Sequence, residues 1–418
     1  MKILFLTHYY PPEGNAPATR VGALARRWVK AGHEVTVVTG APNVPDGVVY
    51  SGFKNRVLPQ EEVIDGVRVI RVWTMIAANK GTARRIANYL SYMVSSTLRC
   101  LFLSRPDVLI ATSPQFFCGW AGVLTKWWFR LSRPFGGKPK FVLEIRDLWP
   151  ESIGAVDAIG NPHLLRILEW MELRMYKAAN HIVTVGRGYK RRLKERGVPE
   201  NKLSIVMNGV DRDLLEATIH DRGELRRQWG VEGKFVCSYI GTIGMACGLD
   251  ILIRAGEKLR DRHRDDILFL VIGDGAVREK LQAETEKNEL NNVRFLGRQA
   301  KESIPGMLAL SDACLVHLRK TPLFETVMPS KIFEAAGMSK PILNGVNGDA
   351  RELIEKANAG LIFEPEDEDG LIEAVCRLAE DTALARSLGE NGRKYVIEHF
   401  DRDKLAKDYE RILKELVG

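Results

Sequence analysis

Residues 322–345 read PLFETVMPSKIFEAAGMSKPILNG, and their punctuation predicts a loop, a helix and a short strand in succession. Pro329 suits the first position of a helix, because its missing N–H would have no helical partner there and its fixed φ already fits. The helix is therefore expected to begin at Pro329. Residues 331–338 are mostly good helix formers, and Gly337 with Pro341 supplies the stop before a buried strand over 341–343. Unpaired N–H groups and the positive end of the helix dipole meet beside Ser330 and Lys331, which makes this start a candidate phosphate site. One turn further, Glu334 stands between Phe333 and Ala335, whereas a plain surface helix would turn such an acid to water.

The same alternation extends both ways along the chain. Residues 3–7 read as a strand, 16–31 as a helix and 34–39 as a second strand, a β-α-β unit expected to be parallel. The intervening loop carries Glu13-Gly14-Asn15 at the carboxyl end of a strand, where doubly wound sheets place ligands. Strands follow at 67–72, 108–111, 141–145, 181–185 and 204–206, with a helix at 162–178. The strand at 141–145 ends in Arg146-Asp147-Leu148-Trp149-Pro150-Glu151-Ser152. Arginine cannot act as a base near neutral pH, so Arg146 would position or stabilise charge and Asp147 is the better catalytic candidate. Asn208-Gly209-Val210-Asp211 is a turn string. Beyond it, strands at 235–240, 267–272 and 293–296 alternate with helices at 249–259 and 276–290. Gly241-Thr242-Ile243-Gly244 and Gly273-Asp274-Gly275 stand at strand ends, where glycine lets backbone approach a ligand closely. The region from 371 is helical with mixed charge, and its last helix, 404–416, is expected to return to the first domain.

A chain of 418 residues exceeds what one core usually supports, so two domains of roughly 200 residues are expected. The 61 basic and 53 acidic residues give a net charge of +8. That excess is local: residues 80–140 hold ten basic residues, from Lys80 to Lys140 and including Arg84, Arg85, Arg130 and Arg133, against the single acid Asp107. Ile86, Leu90, Met93, Thr97 and Leu101 recur at helical spacing there, and Trp127, Trp128 and Phe129 lie among the cations. Rings at the headgroups and cations on anionic lipid are what an interfacial helix needs, although any helix on a sheet must bury a stripe. Residues 108–125 carry no charge, but Ser113-Pro114 divides them into a strand and a helix, which argues against a membrane crossing. Six cysteines without CxxC spacing suit a reducing compartment, and the first apolar run is too short for a signal peptide, so a cytoplasmic location is expected.

Glu334-Ala-Ala-Gly with Lys340-Pro-Ile resembles the carboxyl-terminal signature of the family 4 glycosyltransferases. The Pro-Ser-Lys before it and the string from Arg146 to Ser152 resemble a bacterial subgroup that builds surface polysaccharides, including proteins described as fucosamine transferases. The resemblance covers nearly the whole chain and implies an α/β fold of two Rossmann-like domains facing across a cleft, the B-type glycosyltransferase architecture. It divides the chain into an acceptor-binding domain at 1–208, a nucleotide-sugar domain at 209–400 and a returning helix at 401–418. It also implies that Glu334 holds the donor ribose, that the end of the 293–296 strand at Arg298 meets the base, and that Gly241 and Gly273 flank the nucleotide. The family's usual first Glu falls at Thr326, with Glu325 one step out of register. Its usual Arg and Lys after Gly241 fall at Thr242 and Cys247, which leaves Lys331 and the helix start, with Arg319, to offset the diphosphate. Asn15 replaces a second glycine beside Gly14.

The expected reaction is transfer of a sugar, possibly an amino or deoxy sugar, from a nucleoside diphosphate, UDP by resemblance, to a lipid-linked acceptor. Catalysis would rest on Asp147 and Lys331, with donor contacts from Gly241, Thr242, Gly273, Arg298, Glu325, Thr326, Ser330, Lys331 and Glu334. Gly14, Asn15 and Arg146 would face the acceptor. Family 4 enzymes retain anomeric configuration and use neither metal nor cofactor, and the expected partners are the donor, the acceptor and the inner membrane face in O-antigen or capsule synthesis. A nucleotide-sugar epimerase of the same architecture would need acid, base and His groups, and Pro-Ser-Lys before Glu334 is not its pattern. A basic nucleic-acid-binding protein would suit the charge, but that charge lies in an apolar stretch without a reader motif.

Overall fold

The computed structural model describes residues 1–44, 47–76, 82–113, 115–132, 138–149, 151, 162–211 and 221–418. Lys80, Pro114, Arg133, Pro150 and Ser152, named above, lie outside the described residues. Contacts divide the chain into two units, Met1–Met207 with Asp403–Gly418, and Asn208–Arg402.

The first unit contains β1 (Lys2–Leu6), α1 (Ala16–Lys30), β2 (Glu34–Gly40), β3 (Gln60–Ile64), β4 (Val67–Val72), α2 (Thr82–Cys100), β5 (Val108–Thr112) and α3 (Phe116–Ser132). It continues with β6 (Lys140–Ile145), α4 (Pro162–Ala178), β7 (His181–Thr184), α5 (Arg187–Glu195) and β8 (Leu203–Ile205). Its sheet runs β3-β4-β2-β1-β5-β6-β7-β8. β1 pairs in parallel with β2, Lys2 opposite Glu34, and with β5 on its other side. Central strands such as Val-Leu-Ile-Ala-Thr of β5 are buried at every residue, as a parallel sheet covered on both faces demands. The edge strand β3 is antiparallel to β4. It reads Gln-Glu-Glu-Val-Ile, is half exposed and is charged, with Glu61 paired to Arg68 at 2.7 Å and Glu62 to Arg71 at 2.5 Å. Such charge blunts an open sheet edge.

The second unit contains α6 (Arg222–Gln228), β9 (Phe235–Ile240), α7 (Asp250–Asp261), β10 (Ile267–Ile272), α8 (Arg278–Lys287), β11 (Val293–Gly297), α9 (Ile304–Leu310) and β12 (Ala313–His317). Then come α10 (Lys331–Gly337), β13 (Ile342–Gly345), α11 (Asp349–Ala357), β14 (Gly360–Ile362), α12 (Glu368–Glu380) and α13 (Thr382–Phe400). Its parallel sheet runs β11-β10-β9-β12-β13-β14, and a core including Tyr239, Phe269, Leu315, Leu343 and Val375 fills one face. The last helix, α14 (Arg402–Val417), closes the core of the first unit through Ala406, Tyr409 and Leu413. Trp28 meets Tyr409 edge to face at 5.3 Å and donates its indole N–H to the Ala406 carbonyl at 3.2 Å. Arg27 pairs with Asp403 at 2.6 Å.

Candidate functional site

α10 starts two residues later than its proline predicted. Pro329 and Ser330 form a tight turn, whose carbonyls accept from Ile332 at 3.2 Å and Phe333 at 3.1 Å, and Lys331 is the first helical residue. Ser330 occupies the cap position in a helical conformation and makes no side-chain cap bond. Seven residues give only two turns, so the attraction for an anion rests less on a helix dipole than on Lys331 itself.

The Lys331 ammonium lies 3.4 Å from the centroid of the Tyr239 ring. Among the described residues it has no carboxylate or hydrogen-bond partner, and burial pulls it down to about 8. The phenol beneath is fixed by donating to the Thr242 carbonyl at 2.7 Å, which also accepts from the Cys247 thiol at 3.2 Å. Gly241, at φ +145°, is required here, because a Cβ would stand 3.2 Å from the Lys331 nitrogen in a backbone conformation that side chains disfavour. Gly273 shares that φ, and a Cβ on it would lie 1.9 Å from the Gly241 carbonyl oxygen. The ends of β9 and β10 thus pack backbone against backbone, and the Gly273 N–H donates to the Gly297 carbonyl of β11 at 2.9 Å.

Glu334 is half-buried on α10. Burial raises its carboxyl above the usual range, while Arg402, Lys301 and Lys331 oppose the shift and Asp211 adds to it. Arg402 is itself paired with Asp211. Glu325 is exposed, whereas Thr326 is buried and donates its hydroxyl to the Leu323 carbonyl at 2.7 Å. Arg298 is exposed immediately after β11. Gly241, Gly273, Arg298 and Lys331 therefore gather at the carboxyl ends of the adjacent strands β9, β10 and β11.

Arg319 does not serve as a spare cation. It pairs with Glu366 at 2.8 Å and Asp250 at 2.9 Å and donates to the Met245 carbonyl at 2.9 Å, so it braces the 245–247 turn. His317, which no motif or spacing singles out, braces the same turn. Its Nδ1 donates to the Cys247 carbonyl at 2.7 Å, its Nε2 accepts the Glu366 N–H at 2.9 Å, and the ring stacks on Phe363 at 6.0 Å. Acceptance at Nε2 requires a neutral ring, and burial lowers its pKa accordingly.

In the first unit, the Asn15 side chain caps α1 by accepting from Ala18 N–H at 2.9 Å, and Gly14 beside it is exposed. The backbone N–H groups of Arg146 and Asp147 donate to the Ser113 hydroxyl at 2.7 and 3.2 Å. Asp147 and Glu172 line one pocket, and burial pushes the Glu172 carboxyl up to about 7. Glu13, in the same loop as Gly14 and Asn15, is a further buried acid. It accepts backbone N–H bonds from Asn43 at 3.0 Å, Val44 at 3.2 Å and Tyr10 at 3.3 Å, tying the loops after β1 and β2 together, and burial pushes it up to about 7. Among the described residues no group of three or more His, Cys, Asp or Glu side chains is placed to hold a metal ion.

Two glycosyltransferase family models, which between them take in most of the chain, make it a glycosyltransferase, and its two units of largely parallel sheet have the B-type fold. Residues 221–395 match the family model described as glycosyl transferases group 1, and residues 15–209 match the glycosyl transferase 4-like domain. The protein of Escherichia coli K12 named a colanic acid biosynthesis glycosyl transferase, WcaI, is 24% identical over 96% of this chain and 99% of its own length. The alpha-D-kanosaminyltransferase of Streptomyces kanamyceticus is 29% identical over 54% of this chain and 58% of its own. Anabaena HepE, solved with UDP and glucose, superposes with a TM-score of 0.74 at 18% identity, over 99% of both chains. WaaG, a glycosyltransferase involved in lipopolysaccharide biosynthesis, superposes at 0.69 and 18% identity, over 98% of this chain and 99% of its own.

Proposed function

We propose that the protein transfers a sugar from a nucleoside diphosphate, with UDP the leading candidate, to a hydroxyl of a lipid-linked saccharide during bacterial surface-polysaccharide synthesis. The observation that carries this reading is the Lys331 ammonium, held in a half-buried site over Tyr239 with no ion-paired or hydrogen-bonded carboxylate among the described residues, Glu334 acting on it only at a distance. Such a cation is costly until an anion arrives, and a diphosphate at the end of β9 supplies one. The polysaccharide assignment draws on the likeness to WcaI, and an amino-sugar donor on the likeness to the kanosaminyltransferase.

In this reading the acceptor oxygen attacks the anomeric carbon from the face the diphosphate leaves. The new C–O bond forms as the old one breaks, the acceptor's proton passes to the departing phosphate oxygen, and configuration is retained. Lys331 holds the growing phosphate charge, Asp147 and Arg146 orient the acceptor, and Glu334 accepts from the ribose hydroxyls, with Glu325 free to meet the sugar. No metal is invoked. Calorimetry of UDP, GDP, ADP and TDP against the protein, repeated with a chelator, tests the donor class; failure of all four to bind would remove this proposal. Replacing Glu334 with Gln is expected to weaken the preferred nucleotide by about ten- to a hundredfold with unchanged circular dichroism, since a charge-assisted acceptor is lost.

The membrane half of the proposal rests on α2 and α3. On α2, Tyr89, Tyr92, Ser96 and Cys100 face the core, and of the row at helical spacing Ile86, Met93, Thr97 and Leu101 are half-buried, while Leu90, Val94 and Leu98 are exposed together with Phe102 just beyond the helix, Phe102 at 80%. Trp128 donates to the Leu101 carbonyl at 3.3 Å, which sets the exposed Trp127, Trp128 and Leu131 beside that row, with Arg84 and Arg130 exposed on the same helices. No helix among the described residues is long and apolar enough to cross a membrane. Peripheral binding is expected, with each cation adding up to about 1 kcal/mol on anionic lipid. Flotation should recover the protein with phosphatidylglycerol vesicles and less with phosphatidylcholine vesicles. Arg84→Gln with Arg130→Gln should halve the anionic preference or more, and Leu98→Ser with Phe102→Ser should abolish flotation on both. Equal, negligible flotation of the parent protein would make the acceptor a soluble one.

A further inference from the structure

The carbonyls of Met245, Ala246 and Cys247, in the turn after β9, are all taken by two residues at and just past the end of β12. Arg319 donates from Nε to Met245 at 2.9 Å and from its backbone N–H to Ala246 at 2.9 Å, and His317 donates from Nδ1 to Cys247 at 2.7 Å. The turn is thereby pinned over its whole length. Glycine makes the room for this: a Cβ on Gly248, at φ +57°, would lie 3.0 Å from the imidazole Cε1, and one on Gly345 would lie 2.6 Å from its Cδ2. Glu366, a non-glycine residue at φ +66°, gives its N–H to Nε2 at 2.9 Å and accepts from the Arg319 guanidinium and the Lys320 N–H, each at 2.8 Å. Backbone in that sparsely populated region persists only where its surroundings over-determine it, and such places gather at functional sites.

From the turn, contacts lead on to the candidate cation. The Cys247 thiol donates to the Thr242 carbonyl at 3.2 Å, that carbonyl also accepts the Tyr239 hydroxyl at 2.7 Å, and the Lys331 ammonium lies 3.4 Å from the centroid of the Tyr239 ring. An unbroken series of contacts therefore runs from His317 to Lys331. An ammonium is a point charge on a flexible four-carbon stem. With no hydrogen-bond partner among the described residues, the Lys331 charge is only as well placed as the ring beneath it.

We propose that His317 and Arg319 are positioning residues of the donor site: they fix the 245–247 turn and, through Cys247, Thr242 and Tyr239, hold the Lys331 ammonium where a nucleoside diphosphate arrives. The proposal rests on the donor reading and deepens it. Neither side chain is available to the donor itself, since His317 is 1% exposed and bonded through both nitrogens, and Arg319 is engaged by Met245, Glu366 and Asp250. A frame that places the charge in advance spares the arriving donor the ordering of that side chain.

The test is calorimetry of UDP, GDP, ADP and TDP against the full chain, followed for the best-bound diphosphate from about pH 6 to 10. His317→Leu, which fills the site but offers no donor, should weaken it about tenfold, and Arg319→Met likewise. His317→Asn keeps an N–H at the Nδ1 position and should restore most of the affinity, whereas His317→Gln, whose amide reaches the Nε2 position, should not. The alkaline limb is the readout that a merely structural role would not move. Lys331 faces Tyr239 and Cys247 from β9 and its turn, Cys314 from β12 and Glu334 from its own helix, and burial brings it down to about 8. With the turn slack and water at the ammonium, the limb should move up toward the ordinary lysine value in His317→Leu and Arg319→Met and stay in place in His317→Asn. In a Lys331→Met background, His317→Leu should cost little further affinity. Arg319→Met, at a half-buried position, carries the test alone if His317→Leu does not fold by circular dichroism. Full affinity in both variants, or weakening with an unmoved limb, overturns this inference and leaves the donor reading intact; a parent protein that binds none of the four diphosphates overturns both.

Discussion

Lys331→Ala is expected to lower kcat by about 10²–10³-fold while weakening nucleoside diphosphate binding less, because charge on the leaving phosphate grows in the transition state. Measurement of kcat with a saturating donor, beside calorimetry of the free diphosphate, separates the two; collapse of affinity with an intact kcat would make the residue a ground-state anchor. The pH behaviour has a definite sign. With its pKa lowered from 10.5 to about 8, the ammonium is present below pH 8 and lost above it. Diphosphate affinity should therefore fall about tenfold per unit above pH 8, with proton uptake visible in buffers of different ionisation enthalpy, and Lys331→Met should lack this limb. Folding carries the opposite sign: a lowered lysine pKa means that the folded state binds fewer protons between pH 8 and 10.5, so its burial costs stability below 8. Lys331→Met should then unfold at higher temperature at pH 7, by about 1–2 kcal/mol once the lost contact with Tyr239 is discounted. Activity lost while stability is gained marks a functional cation, because a structural one would lose both.

Much of this arrangement could be read from the chain. Strands buried on both faces, such as β10, spell continuous apolar runs, and their ends are marked by Gly273 or by Arg146-Asp147. β3 escaped notice because an exposed edge carries glutamates where an inner strand carries valines. β12 was hidden because Met307 to Leu310 and Ala313 to Leu315 form one apolar stretch, which only Ser311-Asp312 divides into helix and strand. The face of α2 was left open between core and membrane surface for a related reason: tyrosine, serine and cysteine go inward, Tyr92 donating to the Val38 carbonyl at 2.8 Å, while leucine and phenylalanine are left outside. Spacing alone cannot tell which of two apolar stripes is buried. The roles of Glu13 and His317 could not be read from the chain, since they depend on backbone groups distant in sequence.

The largest stability effect should come from a pair with no part in donor chemistry. Glu144 on β6 is completely buried, and one of its oxygens accepts from two Arg20 nitrogens at 3.1 and 3.2 Å. Its other oxygen accepts the Thr112 hydroxyl at 2.9 Å. Arg20, buried on α1, also donates to the carbonyls of Val206 and Met207, each at 2.8 Å, so a single guanidinium joins a helix, an inner strand and the last residues before the second unit. Arg20→Met would leave the carboxylate without its cation and two carbonyls without their donor. A loss of about 3–5 kcal/mol from the first unit is expected, as for other broken buried pairs. Urea unfolding followed by tryptophan fluorescence measures it, because seven of the eight tryptophans, all but Trp229, belong to that unit. Adding Glu144→Leu should recover part of the loss, since the uncompensated charge disappears with it, and the coupling in that double-mutant cycle should exceed about 1 kcal/mol. Additive effects would mean that Arg20 acts through the Val206 and Met207 carbonyls alone. In that case Glu144→Gln, which keeps an acceptor for Thr112, should be nearly silent; if the ion pair matters, it should cost about as much as removing the charge.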